Sequence, residues 1–184
     1  LNGKLLDLTD SSYGPDITTD FLIDFINTNR EKPFLAYFPM ILPHNPFSVT
    51  PDSVDPQSTN QKQNFIDMVQ YIDKNVGRLE DTLAKLGIRK KTLVVFTGDN
   101  GTNSMLTSEL NGRQIRGGKG YTHDYGTHVP LIVNWPGKVP GGKVNDDLVC
   151  FSDLFPTMVE AMGLPQKEIS DGDGWSFWPQ CEGR

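Results

Sequence analysis

Residues 92–120, TLVVFTGDNGTNSMLTSELNGRQIRGGKG, decide the fold class of this chain. The segment begins with a short apolar run at 92–97, which is typical of a strand buried in a sheet. Gly98-Asp99-Asn100-Gly101 follows directly, and a polar, basic stretch then leads to Gly117-Gly118-Lys119-Gly120. Open α/β sheets carry their ligand sites at the carboxyl ends of their strands. The segment therefore predicts an α/β fold with a ligand site in the long loop after this strand.

Three side chains in that loop suit a cation and an anion bound side by side. The oxygens of Asp99 and Asn100 are ligands that a hard cation prefers. Lys119 lies among glycines, which leave room for an anion to approach closely. A metal ion beside an ammonium group describes a site for a phosphate or sulfate ester, in which the lysine holds an ester oxygen and helps the leaving group depart. The alternatives are an ordinary Asn-Gly turn and an exposed lysine.

A fourth candidate, His44, lies between two prolines in the segment 43–46, after another apolar run. The prolines restrict the backbone and thereby the position of the imidazole. Histidine titrates near neutral pH, so His44 is a candidate proton donor to a leaving oxygen. The alternative is a loop histidine that forms a local hydrogen bond. His123 and His128 are weaker candidates, and we interpret both mainly as loop-packing residues.

Hydrophobic periodicity predicts three helices around these segments. The first spans about 17–29 with Asp16 or Thr18 as its cap, and the longest spans about 59–86 and is closed by Gly87. The apolar positions of the longest helix recur at steps of four and three, at Phe65, Val69, Ile72, Val76, Leu79, Leu83 and Leu86. A third helix begins at Ser152 or Asp153 and ends at Gly163.

Short apolar runs at 33–39, 92–97 and 130–136 predict three strands buried on both faces, as in parallel sheets. Residues 43–60 are predicted to form a loop, and residues 171–178 a loop with aromatic anchors. The element order is therefore α-β-α-β-β-α, which is typical of an α/β sheet with helices on its faces. Three strands are few for such a sheet, so we expect the chain to form part of a larger one.

Composition excludes several function classes. The 184 residues carry a net charge of −6, which argues against a general nucleic-acid binder. No apolar run approaches the ~20 residues of a membrane span. Cys150 and Cys181 lack metal-type spacing, and whether they pair stays open. Between residues 110 and 130 the chain nevertheless has a local basic patch, opposed by one acid, Asp124, and made of Arg113, Arg116, Lys119, His123 and His128.

Taken together and in order, these motifs resemble those of the sulfatase family within the alkaline-phosphatase superfamily. The matching pieces cover nearly the whole chain. They are YGPDITTD at 13–20, KPF at 32–34 with PHNPF at 43–47, VGRL at 76–79, TGDNG at 97–101, GGKG at 117–120, VPLIV at 129–133 with WPG at 135–137, DLFPT at 153–157, and the closing segment from Asp171 to Phe177.

The resemblance implies a partial alkaline-phosphatase-like sheet with helices on both faces. It implies an enzyme that hydrolyses sulfate esters through a formylglycine nucleophile and a bound divalent cation. Asp99 and Asn100 are implied as ligands of Ca²⁺, Lys119 as a contact of the sulfate and the bridging oxygen, and His44 as a neighbour of that oxygen. Aryl sulfates, glycosaminoglycan sulfates and algal polysaccharide sulfates are all candidate substrates, and the family favours a periplasmic or secreted location.

The chain departs from the family pattern most clearly in its nucleophile. It has no C/S-x-P-x-R motif, and the family's first pair of acidic metal ligands has no counterpart. We therefore expect residues 1–184 to be a single partial catalytic domain, the later part of a sulfatase, without activity by itself. Its expected partners are the missing amino-terminal half or a second copy bound at an exposed sheet edge. Smaller departures at 124–126 and 127–128 concern local substrate contacts.

Two other interpretations stay open. A phosphodiesterase or phosphonate monoester hydrolase of the same superfamily would also use a bound metal ion and a lysine that contacts the ester. A non-catalytic binding domain on the same fold would share the architecture alone. The nucleophile motif upstream would distinguish all three.

Overall fold

The computed structural model describes residues 1–165 and 172–184, which form two compact units. Unit 1 comprises Leu1–Arg89 and Gly98–Val129, and unit 2 comprises Lys90–Thr97 and Pro130–Arg184. Asp171, the first residue of the predicted closing loop, lies outside the described residues. None of the described helices combines the length and apolar character that a membrane crossing requires.

Unit 1 is built on two helices, α1 (Gly14–Asn29) and α2 (Gln61–Lys85). The side chain of Asn60 caps α2 by accepting hydrogen bonds from the amides of Lys62 and Gln63. At the other end, Gly87 adopts a φ of 71° and its amide donates to the carbonyl of Ala84 at 3.0 Å. The predicted long helix with a glycine at its carboxyl end is therefore confirmed.

The predicted caps of the first helix are wrong. The helix begins three residues earlier, at Gly14, and its N-cap residue is Tyr13, whose side chain makes no capping bond. Pro15 accounts for the early start because its fixed φ suits the first helical turn. The carboxylate of Asp16 instead accepts a hydrogen bond of 2.6 Å from the phenol of Tyr71 on α2.

The buried face of α2 matches the predicted apolar line only in part. Ile72 and Leu83 are buried, as predicted. Asn64, Met68, Tyr71 and Asn75 recur at helical steps and are at most 3% exposed, whereas Val69 is 43% exposed. Hydrogen bonds offset part of the cost of burying the two asparagines. The amide of Asn64 donates to the carbonyl of Phe47 at 2.9 Å, and Asn75 accepts from Arg78 at 3.1 Å. Polar residues thus occupy a face that periodicity assigns to apolar ones.

The loop after Thr97 contains a β-hairpin that the sequence interpretation missed. Strands β2 (Thr107–Leu110) and β3 (Arg113–Arg116) pair antiparallel. Asn111 and Gly112 connect them with φ values of 51° and 75°, the left-handed pair that a two-residue hairpin turn requires. The Asn-Gly dipeptide at 111–112 was the signal that could have found it.

The predicted buried strand at 33–39 is wrong. These residues have no regular secondary structure, and Leu35 and Tyr37 are 74% and 89% exposed. A strand needs a neighbour for its backbone hydrogen bonds, and the described residues pair none with this segment. Phe34, near the start of the run, packs edge-to-face on Phe25, Phe38 is half-buried, and Leu42 beyond the run is buried.

Unit 2 contains the remaining two strands, β1 (Val94–Thr97) and β4 (Leu131–Asn134). They pair antiparallel, with Val94 opposite Asn134, so the parallel arrangement predicted for them is wrong. Their burial also differs from the prediction. All four residues of β1 are half-buried, and β4 alternates, with Ile132 55% exposed.

The other helices are short. In unit 1, α3 spans Asp124–Thr127; in unit 2, α4 spans Leu154–Ala161 and α5 spans Trp178–Cys181. The predicted end of α4 at Gly163 is confirmed, since that glycine has a φ of 70° and its amide donates to Glu160. Phe177 and Trp178 are buried anchors, as expected, whereas Trp175 is 85% exposed. Both cysteines are free.

Candidate active site

All four candidate site residues lie in unit 1. Asp99 and His44 are exposed, and Asn100 and Lys119 are half-buried. Asp99 and Asn100 follow the end of β1, Lys119 follows β3, and His44 lies in the irregular segment before α2. Three of the four therefore belong to the stretch 98–129.

Backbone hydrogen bonds fold that stretch back on itself. The amide of Gly101 donates to the carbonyl of Gly126 at 2.9 Å, and the amide of Gly118 donates to that of Tyr125 at 3.2 Å. The amide of Lys119 donates to the carbonyl of Thr102 at 2.9 Å. We call the segments joined in this way, 98–103, 116–121 and 121–128, the glycine crossing. The backbone of Lys119 is therefore hydrogen-bonded to Thr102, which lies three positions after Asp99 in the sequence.

Glycine is required at the crossing because the backbones pass too closely for side chains. A Cβ on Gly101 would lie 2.8 Å from the Cα of Gly126 and closer still to the carbonyl oxygen of Tyr125. A Cβ on Gly117 would lie 2.7 Å from the carbonyl carbon of Asn103. Carbon atoms in ordinary contact are about 3.5–4.0 Å apart. The glycines around Lys119 thus allow three loop segments to pass close to one another.

The side chains at the crossing are available for ligands. Across the part of the chain that the structure describes, the carboxylate of Asp99 and the ammonium of Lys119 take part in no hydrogen bond or salt bridge. The donor set fits a hard cation only in part. Asp99 and Asn100 are two oxygen-bearing side chains, and the described residues contain no group of three or more His, Cys, Asp or Glu side chains able to hold a metal.

His44 is held by local contacts. Its amide donates to the carbonyl of Ile41 at 2.9 Å, and its Nδ1 lies 2.6 Å from the carbonyl oxygen of Asn45. A carbonyl only accepts, so Nδ1 carries a proton and Nε2 is the nitrogen left to exchange one. Phe47, which is 3% exposed and packs on Phe65, anchors the segment to α2.

The structure does not join His44 to the glycine crossing. Among the described residues, the hydrogen bonds of His44 are the local ones given above. Of the other two histidines, His123 packs in its loop, as predicted, with its ring stacked on Tyr121 at 5.4 Å. His128 is exposed, and its amide donates to the carbonyl of Asp124 at 2.8 Å.

Two groups of residues were missed from the sequence. Tyr121 and Tyr125 flank His123 and form a ring cluster beside Lys119. Between the helices, Arg78 contacts Asp16, Asp20 and Asn75. Burial, followed by the hydrogen bond to Asp16, raises the pKa of Tyr71 above its usual range, so this phenol stays protonated and donates. The network braces α1 against α2.

Comparisons with known proteins point to one family. The family model described as Sulfatase matches residues 9–164. The chain is 34% identical over 162 residues to the N-acetylgalactosamine-6-sulfatase of Mus musculus, an alignment covering 84% of this chain and 30% of that protein. It is 31% identical over 173 residues to the uncharacterized sulfatase YdeN of Escherichia coli strain K12, covering 91% of this chain and 30% of that protein. The chain thus spans about a third of the length of the curated relatives it matches.

Solved structures confirm the predicted alkaline-phosphatase-like α/β fold. The crystal structure of Ps i-CgsB in complex with k-i-k-neocarrahexaose matches with a TM-score of 0.76 and 28% identity, covering 97% of this chain and 40% of that chain. The structure of yidJ from Bacteroides fragilis matches with a TM-score of 0.74 at 24% identity, over 94% of this chain and 42% of that one, and shows the fold alone. The family match over most of the residues, together with these likenesses, shows that the chain belongs to the sulfatase family.

Proposed function

We propose that residues 1–184 are the later part of a sulfate ester hydrolase and form a single partial catalytic domain. Family membership supports the reaction class. The chain spans about a third of its curated relatives and lacks a C/S-x-P-x-R nucleophile motif, which supports its being a part. The nucleophile then comes from residues outside this chain and supplies the attack on sulfur.

The hydrogen bond from the amide of Lys119 to the carbonyl of Thr102 carries this proposal. It ties the glycine-flanked lysine to the loop that bears Asp99 and Asn100. A sulfate ester has negative charge on its outer oxygens and develops more on the bridging oxygen as the ester bond breaks. In the proposal, the ammonium of Lys119 binds an outer oxygen and offsets the charge that grows on the bridging one.

His44 is proposed to protonate the leaving alcohol. Its Nδ1–H is held by the carbonyl of Asn45, which fixes the ring and leaves Nε2 to deliver a proton. For this step the ring carries a proton on each nitrogen. The S–O bond to the alcohol breaks as the proton on Nε2 passes to the departing oxygen, which leaves a neutral imidazole with its proton on Nδ1. This step requires His44 to approach the sulfate bound at Lys119, and the family resemblance supports that approach.

Asp99 and Asn100 are proposed to hold Ca²⁺. Carboxylate and amide oxygens suit this ion, which takes six to eight oxygen ligands in all. When bound, the ion would draw electron density from the sulfate oxygens. Because the chain offers two of these ligands, we expect weak binding by the chain alone, and micromolar affinity by calorimetry would contradict this part of the proposal.

The site is tested by NMR titration of the ¹⁵N-labelled chain with methyl sulfate in the presence of Ca²⁺. We expect shifts at the amides of 99–101 and 117–120 that Lys119→Ala abolishes. Lys62→Ala, an exposed lysine on α2, is the matched control and should leave them unchanged. Shifts that persist in Lys119→Ala would remove the lysine from the site.

Activity provides a second test. We expect no hydrolysis of an aryl sulfate by the purified 184 residues. Measurable turnover would refute the proposal that the nucleophile comes from residues outside this chain. A preference for methyl phosphate over methyl sulfate in the same titration would favour a phosphodiesterase or phosphonate hydrolase. Proposed substrates are sulfated small molecules or sulfated glycans, with no nucleic acid among the partners. The missing amino-terminal half, or a second copy at an exposed edge, is the proposed protein partner.

A further inference from the structure

The ring cluster formed by Tyr121, His123 and Tyr125 has no part in the proposed chemistry, yet it adjoins Lys119. The rings of Tyr121 and His123 stack with an interplanar angle of 12° and a centroid distance of 5.4 Å. Tyr125 meets His123 edge-on, with centroids 5.7 Å apart. Three aromatic side chains at alternate positions therefore form one continuous surface feature.

The cluster is built on the glycine that precedes Lys119. A Cβ on Gly118 would lie 2.5 Å from the Cε1 of His123. The amide of Tyr121 donates to the carbonyl of Gly118 at 2.9 Å, and the carbonyl of Tyr125 accepts from the amide of Gly118 at 3.2 Å. One residue thus connects the rings to the backbone of the proposed sulfate-binding lysine.

The rings are too exposed to serve only as core. Tyr121 is 63% exposed and Tyr125 is 54% exposed, although each contacts His123. Neither phenol hydroxyl forms a hydrogen bond with any other described residue. Burying exposed aromatic surface on a ligand is favourable, and a phenol adds a polar handle at its edge.

The surroundings restrict what that ligand is. Arg113, Arg116 and Lys119 give the stretch 110–130 a positive charge in a chain whose net charge is −6. A purely apolar sulfate, such as a long alkyl ester, would leave the phenol hydroxyls without partners. A sugar ring has an apolar C–H face for an aromatic ring and equatorial hydroxyls for the phenols, and a sulfated glycan adds the negative charge that the patch attracts.

We propose that Tyr121 and Tyr125, spaced by His123, form a saccharide subsite that selects a sulfated glycan over small non-sugar sulfates. This inference rests on the proposed function, since it takes the sulfate of the same ligand to lie at Lys119. His123 acts as a positioning residue that holds the two phenol rings. The subsite determines specificity and takes no part in bond breaking.

The experiment compares three probes on the full chain: a sulfated hexaose, its desulfated form, and methyl sulfate, which has no ring. Tyr121→Ala and Tyr125→Ala are each expected to weaken binding of the sulfated hexaose about five- to tenfold, as the loss of an aromatic contact implies, and to leave methyl sulfate unchanged. Tyr121→Phe keeps the ring face and is expected to retain most of the affinity. Tyr37→Ala removes a tyrosine that is 89% exposed in the same unit, outside the cluster, and is the matched control.

The outcomes separate this inference from the function beneath it. Loss of methyl sulfate binding in Lys119→Ala tests the sulfate site alone. Equal weakening of all probes by the tyrosine variants would show that the rings only support the loop, and the subsite would be overturned. It would also be overturned if the sulfated hexaose bound no tighter than methyl sulfate, or if Tyr37→Ala had the same effect as Tyr121→Ala.

Discussion

Replacing Gly101 by alanine tests whether the glycine crossing positions Lys119. The added Cβ would lie 2.8 Å from the Cα of Gly126, which is about 0.7 Å or more inside ordinary carbon contact. Both neighbours are backbone atoms, so the loops themselves have to separate. The hydrogen bond from the amide of Gly101 to the carbonyl of Gly126 is lost when they do.

The expected cost follows from these two effects. Overpacking of this kind costs about 1–3 kcal/mol, and a lost backbone hydrogen bond adds about 1 kcal/mol. Alanine also restricts the unfolded chain, which returns about 0.4–1 kcal/mol. The net destabilisation of the crossing is therefore about 1–3.6 kcal/mol, which corresponds to roughly 5- to 400-fold faster opening measured as amide exchange.

The assay is hydrogen exchange at the amides of Gly118 and Lys119, which are bonded across the crossing. The matched control is Gly77→Ala, because Gly77 lies within α2 and its added Cβ meets nothing within 4 Å. That variant should stabilise the helix by about 0.5–1 kcal/mol and leave Lys119 unaffected. Unchanged exchange at Lys119 in Gly101→Ala would refute the argument that close backbone packing places this lysine.

Three further perturbations test the supporting structure. Asn64→Ala leaves the buried carbonyl of Phe47 without its donor, so we expect a loss of about 1–3 kcal/mol in urea unfolding and faster exchange in the loop that bears His44, whereas Lys62→Ala should be neutral. The pKa of Tyr71 is raised by burial and by Asp16, so at high pH the folded chain keeps a proton that the unfolded chain releases. Folding stability should therefore fall as the pH rises above about 10, and this fall should be smaller in Tyr71→Phe. Backbone N–H groups of Cys150 and Trp175 lower the pKa of Asp153, so the contribution of this carboxylate to folding stability should be present above pH ~4 and lost as the pH falls. Asp153→Asn should cost about 1–3 kcal/mol of folding stability at neutral pH and should make stability depend less on pH in the acid range. A stability that is independent of pH in either range would contradict the corresponding assignment.

Local signals predicted the helix ends well. Gly87 and Gly163 end their helices in the left-handed conformation, as their positions after periodic segments indicated. Their success is physical, since a helix end depends on a few neighbouring backbone groups. The proximity of the Asp99 loop to the Gly117–Gly120 stretch was inferred from two glycine-rich segments flanking one loop, and the bond between Lys119 and Thr102 places these backbones together.

Features that depend on residues distant in the sequence were predicted less well than the helix ends. The antiparallel pairing of β1 with β4 was missed, because strand direction is decided by the connection and not by composition. The buried asparagines of α2 were missed because their burial depends on the carbonyl of Phe47 and on Arg78, which no periodicity reveals. The aromatic cluster was missed because the alternate spacing of Tyr121, His123 and Tyr125 does not by itself reveal that their rings pack on one another.

The segment 33–39 carries a different kind of information. Its continuous apolar run is typical of a strand buried on both faces, yet Leu35, Tyr37 and the nearby Ile41 are each at least 70% exposed. A long run of exposed apolar side chains whose backbone has no strand partner is unfavourable in water and favours pairing with another strand. The conflict disappears if this run pairs with chain from the rest of a sulfatase domain or from a second copy, which is the partner proposed above. The mismatch between an apolar pattern and its exposure therefore supports a partial domain independently of the missing nucleophile motif.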